Sequence, residues 1–174
     1  RIKEKSLDLL DSHVFQFDFL NDSFDKLPQS LQDIINNPEK RRKLVVYINP
    51  PYAEAADKST VTGKGKNKTN VAVTNKTYNK YINKIGIAGR ELFAQFFMRI
   101  YDEIPTSVLA QFSKLKIEQA PNFRDFRQAF RAKLGRNFIV PANSFDNVKG
   151  QFPIGFFIWH LDEEAIFTQT TTDV

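Results

Sequence analysis

The spacing of apolar and polar positions changes several times along the chain, and each change marks an element. Residues 6–12 carry apolar side chains at helical spacing and end near Asp11-Ser12. Residues 14–20 read V-F-Q-F-D-F-L; the aromatic and branched content and the short length predict a strand, with Asn21-Asp22 as turn residues. Residues 30–36 predict a helix that Ser30 could cap, with Asp33 three positions on, and Asn37-Pro38-Glu39-Lys40 breaks it. Residues 44–48, L-V-V-Y-I, have no polar interruption, the pattern of a strand buried on both faces in a parallel sheet. Residues 90–103 place Leu92, Phe93, Phe96, Phe97, Ile100 and Tyr101 on a helical stripe, and Pro105 follows. Residues 108–117 predict a strand that Ser113-Lys114 interrupts. Residues 123–134 put Phe123, Phe126, Phe130 and Leu134 on one helical face, arginines on the other, and Gly135 at the stop. Residues 138–140 and 154–159 are two further strands, and the Thr-rich residues 168–174 read as a frayed end.

Strands and helices therefore alternate until two strands close together end the series. That order predicts an α/β domain with a mostly parallel sheet and a terminal antiparallel hairpin strand. Ligands of open α/β sheets bind beyond the carboxyl ends of the strands. Asp18, Asn49 and the segment after Asn49 lie at such ends.

Composition narrows the function classes. The chain has 174 residues, enough for one ordinary domain. Hydrophobic residues at 41% and charged residues at 26% suit a packed core rather than a disordered chain. No apolar run approaches the roughly 18 residues of a membrane span, and no secretory signal is visible, so neither a membrane partner nor export is expected. Cysteine is absent, which excludes disulfides, thiol nucleophiles and Cys-ligated metals. His13 and His160 lie far apart without ligand spacing, so no metal is expected. The only methionine is Met98 and the chain starts at Arg1, so a processed chain or a piece of a longer one is expected.

The net charge of +5 is unevenly spread. From Lys58 to Arg90 there are Lys58, Lys64, Lys66, Lys68, Lys76, Lys80, Lys84 and Arg90 and no acid, which leaves the rest of the chain at −3. The segment is also rich in Gly, Thr and Asn, with tyrosines at 78 and 81. Lysines on a polar loop neutralise phosphates, so residues 53–89 suit a polyanion-facing insertion; a solvated surface loop is the alternative.

The run 44–48 leads directly into Asn49-Pro50-Pro51-Tyr52. Two prolines end a ladder and fix a rigid turn, which accounts for the prolines but not for the amide before them or the aromatic after. A specified four-residue string occurs by chance in a chain of this length roughly one time in a thousand. The tetrapeptide resembles the Asp/Asn/Ser-Pro-Pro-Tyr/Phe motif that follows the fourth strand of the Rossmann-like sheet in amino methyltransferases acting on adenine N6 in DNA. The resemblance implies S-adenosylmethionine as cofactor and double-stranded DNA as partner. It implies that the Asn49 side-chain carbonyl and the Pro50 backbone carbonyl accept hydrogen bonds from N6. The rigid Pro50-Pro51 holds the second acceptor in place without reorganisation. Tyr52 stacks on the base, which must be flipped out of the duplex.

Two further segments are similar to the family. The family has a second stacking aromatic on the loop before its last strand; Phe145 and Phe152 are the candidates, and core packing is the alternative for each. An acidic residue after the third strand contacts the cofactor's adenine, and Asp18 with Phe19 fits by position, although Asp18 also suits a turn. The family's glycine loop and ribose-binding acid have no counterpart before residue 14. The expectation is therefore an incomplete Rossmann-like sheet over residues 1–174, its first strands carried by the remaining part of the same polypeptide. The implied setting is a prokaryotic, cytoplasmic restriction–modification or phage-defence protein. Methylation of RNA bases or of a protein glutamine, or a non-catalytic nucleic-acid-binding module, are the competing readings.

Overall fold

A computed structural model describes residues 13–51, 71–145 and 152–166. Helices α1 (Gln29–Asn36) and α2 (Pro38–Arg41) precede strand β1 (Val45–Ile48). Helices α3 (Val71–Thr74), α4 (Lys76–Ile85) and α5 (Leu92–Glu103) lead to β2 (Val108–Lys114). Helices α6 (Lys116–Gln119) and α7 (Arg124–Ala129) then lead to β3 (Ala132–Pro141) and β4 (Pro153–Glu164). The sheet order is β1-β2-β4-β3. β1 runs parallel to β2, with Ile48 opposite Gln111; β4 runs antiparallel to both β2 and β3. The domain is α/β with an open mixed sheet, and its antiparallel pairs outnumber the parallel one, contrary to the mostly parallel sheet expected.

α5 is the centre of the core. Leu92, Phe93, Ala94, Phe97, Met98 and Ile100 are all buried, on more than one side of the helix. All of these except Leu92, which packs with Leu20, join a cluster with Tyr81 and Ile85 of α4, Phe123, Phe126 and Phe130, and with Leu109, Phe157 and Trp159 from one face of the sheet. Phe93 stacks on Phe123 at 5.5 Å, and Phe130 meets Trp159 edge-on at 5.3 Å. The turn from α4 needs Gly86: its φ is +56°, and a Cβ there would lie 2.5 Å from an Asp125 carboxylate oxygen.

Four expectations are corrected. Residues 14–18 form no helix and join no ladder, and a turn follows at 19–21. The Asp18 carboxylate accepts from the Leu20 amide at 3.0 Å and from the Asn21 amide at 3.2 Å, which bends the chain where a strand would continue. The aromatic residues pack on a helix instead: Phe19 stacks on Phe96 at 4.8 Å and contacts Phe17 and Phe24. β1 is an edge strand among the described residues, with Val45 58% and Tyr47 63% exposed, and is not buried on both faces. The helix expected to Leu134 ends at Ala129, because β3 pairs with β4 from Ala132 onward. Gly135 accordingly sits in a bulge of β3 against His160 rather than at a helix stop. Finally, residues 71–74 and 76–85 of the expected basic loop are helical; residues 52–70 lie outside the described residues.

The arm at 13–27 is tied down by Arg99, which is 5% exposed. Its guanidinium donates to the Phe19 carbonyl, to the Asp22 carbonyl at 2.7 Å and to Glu103 at 3.0 Å, and lies over the Phe24 ring. Lys80 bridges Asp102 and Glu103 at 3.0 and 2.9 Å, and the buried Tyr81 hydroxyl donates to Asp102. Burial raises the Tyr81 pKa well above its usual range, so the hydroxyl remains a donor.

Two outcomes follow from these contacts. Arg99→Leu leaves two carbonyls without their donor and removes one of the two cations on Glu103, and should cost about 3 kcal/mol in urea unfolding. Faster amide exchange should appear at 17–24; unchanged exchange there would show that Arg99 does not hold the arm. Glu118 accepts a 3.3 Å bond from Asn137, yet burial dominates and raises its pKa. A carboxylate with a raised folded pKa opposes folding above that pKa and ceases to as pH falls through it. Glu118→Gln keeps the acceptor and should raise Tm at pH 7, with the gain vanishing below pH 4 on calorimetry.

Candidate functional site

Parallel pairing brings the carboxyl ends of β1 and β2 to the same end of the sheet. Antiparallel β4 begins at that end, with Ile154 opposite Lys114, and β3 finishes there, with Pro141 opposite Pro153. β1 delivers Asn49, Pro50 and Pro51 to this end; Pro50 is buried, while Asn49 and Pro51 are exposed. Tyr52 lies outside the described residues. A strand cannot continue through Pro50-Pro51, since neither offers an N–H to a ladder.

Alternation along the strands divides the sheet into two faces. Val46, Ile48, Leu109, Phe157 and Trp159 face the helices. Tyr47, Phe112, Phe156 and Phe138 face the other way and form an aromatic row across the sheet. Tyr47 meets Phe112 at 6.3 Å, Phe112 meets Phe156 at 4.8 Å, and Phe138 stacks on Phe156 at 5.0 Å. Asn49 follows the last residue of β1 and is exposed. Phe145 joins the row through Phe112, ring centroids 5.1 Å apart. Its loop leaves β3 through the turn at Ala142–Ser144, which the Ala142 amide ties to the Phe152 carbonyl at 2.9 Å. The structure thus brings Asn49, Phe145 and Phe152 to one end of the sheet. Phe145 is half-buried on Phe112; Phe152 is 43% exposed.

Other expected residues are not brought there. Asp18 spends its carboxylate on the turn amides and on the Asn21 side chain at 2.8 Å. Phe19 belongs to the packing of the arm on α5. Of the lysines, Lys58, Lys64, Lys66 and Lys68 lie outside the described residues. Lys76 and Lys84 are exposed on α4, and Lys80 is committed to Asp102 and Glu103.

Several polar groups at this end carry no signal in the sequence. Glu91, 1% exposed before the first turn of α5, pairs with Lys116 and lies 3.8 Å from Lys114, two lysines that follow or end β2. The partners are 23 and 25 positions away, so no local pattern announces them. Gln111 and Ser113 on the helix-side face of β2 are fully buried, and neither side chain has a hydrogen-bond partner. Each such group costs about 1–3 kcal/mol. At the opposite end of β4, His160, Asp162 and Glu163 bring one ligand atom each within 4.8 Å. That grouping was not expected from the sequence, and Glu163 is already held by Lys133 at 2.6 Å.

No helix among the described residues is long and apolar enough to cross a membrane. Comparison with protein-family models and with curated proteins finds no match for the chain.

Phe112 joins Tyr47, Phe156 and Phe145, so Phe112→Ala should destabilise the domain by about 2 kcal/mol in urea unfolding. Fluorine resonances from labelled phenylalanine should show Phe145 moving into a solvent-like environment; an unmoved Phe145 signal would mean that Phe112 does not position it.

Proposed function

We propose that this chain is the base-handling part of an adenine-N6 DNA methyltransferase. The observation that carries the reading is Asn49-Pro50-Pro51 at the carboxyl end of a strand in an open α/β sheet, with Pro50 buried and Phe145 on the same face through Phe112. A parallel pair followed by an antiparallel hairpin strand is also what an incomplete Rossmann-like sheet requires. The setting is a restriction–modification or phage-defence polypeptide.

The chemistry assigned to these residues answers a specific difficulty. The N6 lone pair of adenine is delocalised into the ring, so the amine is a poor nucleophile. The Asn49 side-chain oxygen and the Pro50 carbonyl oxygen each accept one N6–H. Two acceptors in fixed positions favour a tetrahedral nitrogen and free its lone pair. The buried Pro50 and its proline neighbour hold the carbonyl without reorganisation. A flipped base is held between Tyr52 on one side and Phe145 or Phe152 on the other. Lysines of residues 58–84 contact DNA phosphates, with Lys80 excluded by its ion pairs.

S-adenosylmethionine is the methyl donor this reading requires. The described residues do not make its pocket: Asp18 has given its carboxylate to its own turn, and Phe19 packs on Phe96. Cofactor binding is therefore assigned to the remaining part of the same polypeptide.

The test uses the complete polypeptide and isotopically labelled S-adenosylmethionine. Methyl transfer to duplex DNA, recovered as N6-methyladenine, is expected. Asn49→Ala should reduce it on the order of 100-fold while folding and DNA binding persist. Methyl transfer to RNA or to a protein glutamine instead of DNA would reassign the acceptor. Full activity of the Asn49→Ala protein would reduce Asn-Pro-Pro to a turn. Calorimetry on residues 1–174 alone should give weak cofactor binding; tight binding would contradict the division of the pocket.

A further inference from the structure

The arginines of α7 have no part in the site described above. Arg124 and Arg127 are three positions apart and so share one side of the helix, while Phe123, Phe126 and Phe130 are buried in the core. Arg131 follows the helix and joins them around a recess of about 390 Å³, which Gln128 and Ile166 also line. The Ala165 amide donates to the Arg131 carbonyl at 2.8 Å and ties the chain after β4 beside α7. The recess lies where Ala132 pairs with Glu164, and the ten residues of β3 separate it from the end of the sheet that holds Asn49.

Guanidinium groups gathered around one recess repel one another unless an anion lies among them. The described residues supply little of that negative charge. Arg124 has no hydrogen-bond or ion-pair partner among them. Arg131 meets Glu164 only at 3.9 Å, with both side chains exposed. Asp125, the acid within α7, lies beside Gly86 instead. Arg127 spends one terminal nitrogen on the Ile117 and Ala120 carbonyls, at 2.9 and 3.1 Å, and both acceptors are neutral. Its guanidinium is therefore held in place with its charge intact, and its Nε–H and second terminal nitrogen remain as donors. One fixed arginine with two exposed ones suits a tetrahedral oxyanion. Paired N–H groups dock on adjacent phosphate oxygens, and a phosphate carries enough charge for more than one guanidinium, whereas a carboxylate answers one. We propose that this recess binds a phosphate group, with Arg127 as the preorganised donor and Arg124 and Arg131 closing on the ligand. The phosphate is part of a nucleic-acid backbone or of a free anion. The assignment goes beyond the proposed function and does not rest on it, since the recess shares no residue with Asn49, Phe145 and Phe152.

The experiment titrates the 174-residue chain with inorganic pyrophosphate at low ionic strength, where screening is least. It is read by calorimetry and by the arginine Nε–H resonances. Pyrophosphate should bind and shift the Arg127 and Arg131 resonances to saturation, and acetate should not displace it. Arg124→Gln with Arg131→Gln, both at exposed positions, should keep the Tm and weaken binding by about tenfold or more. Lys76→Gln with Lys84→Gln removes the same charge from the exposed side of α4 and should leave binding within about twofold. An equal loss in that variant would reduce the effect to net charge and overturn the proposal. Unmoved arginine resonances would overturn it as well. A DNA oligonucleotide separates the two sources. If it moves the same arginine resonances at lower phosphate concentration than pyrophosphate does, the recess takes a nucleic-acid backbone; the reverse order assigns it to a free anion.

Discussion

β2 is hydrogen-bonded along both edges, parallel to β1 on one side and antiparallel to β4 on the other, and the candidate site depends on that double pairing. The parallel partner sends its carboxyl end, and with it Asn49, to the same end of the sheet as Phe112 and Lys114. The antiparallel partner starts at that end, so the chain joining β3 to β4 must close there too. Strand direction thus puts Phe145 and Phe152 at the end of the sheet that holds Asn49. A reversal of the β2–β4 pairing would carry the aromatic residues to the far end, where His160 lies opposite Val108, and a reversal of the β1–β2 pairing would carry Asn49 there.

The helix layer fixes this arrangement through one buried cation. Arg99 projects from α5, whose apolar residues fill the core, and holds the 13–27 arm by two main-chain carbonyls. The arm contributes Phe17, Phe19 and Phe24 to the same packing, and these rings line the floor beside β1. The apolar groove at the sheet edge is therefore a product of the arm's docking, and the docking depends on satisfying Arg99.

What was legible in the sequence was what local chemistry decides. α1, α5, β1 and β2 fall within a few residues of their expected bounds, because their periodicity agrees with their tertiary surroundings. Asn49-Pro50-Pro51 ends a strand as its prolines require. Residues 14–20 failed because aromatic content does not distinguish a strand from an arm packed on a helix, and the Asp18 turn decided against the ladder. Residues 130–134 failed because a helical stripe and a ten-residue ladder compete for the same side chains. Leu134 reaches the core either way, but only the strand pairs its backbone with β4. Charge alone makes residues 53–89 a loop, whereas Asn75 caps α4 and buried Thr77, Tyr81 and Ile85 fix its helix. Glu91 with Lys114 and Lys116 had no local signal, since the pairing exists only once α5 lies beside the end of β2.

The two faces of the sheet differ in a way that bears on the fold as a whole. An α/β sheet with one face toward water alternates apolar and polar residues along its strands. Here the helix-side face buries the polar side chains of Gln111 and Ser113, while the other face carries Val45, Tyr47, Phe112, Phe138 and Phe156. That distribution is not the one a solvated outer face selects. Aromatic residues across adjacent strands retain most of their stabilising value when a further layer removes them from water. Among the described residues, Val45 and Tyr47 lie both on the outer face and at the edge of the sheet.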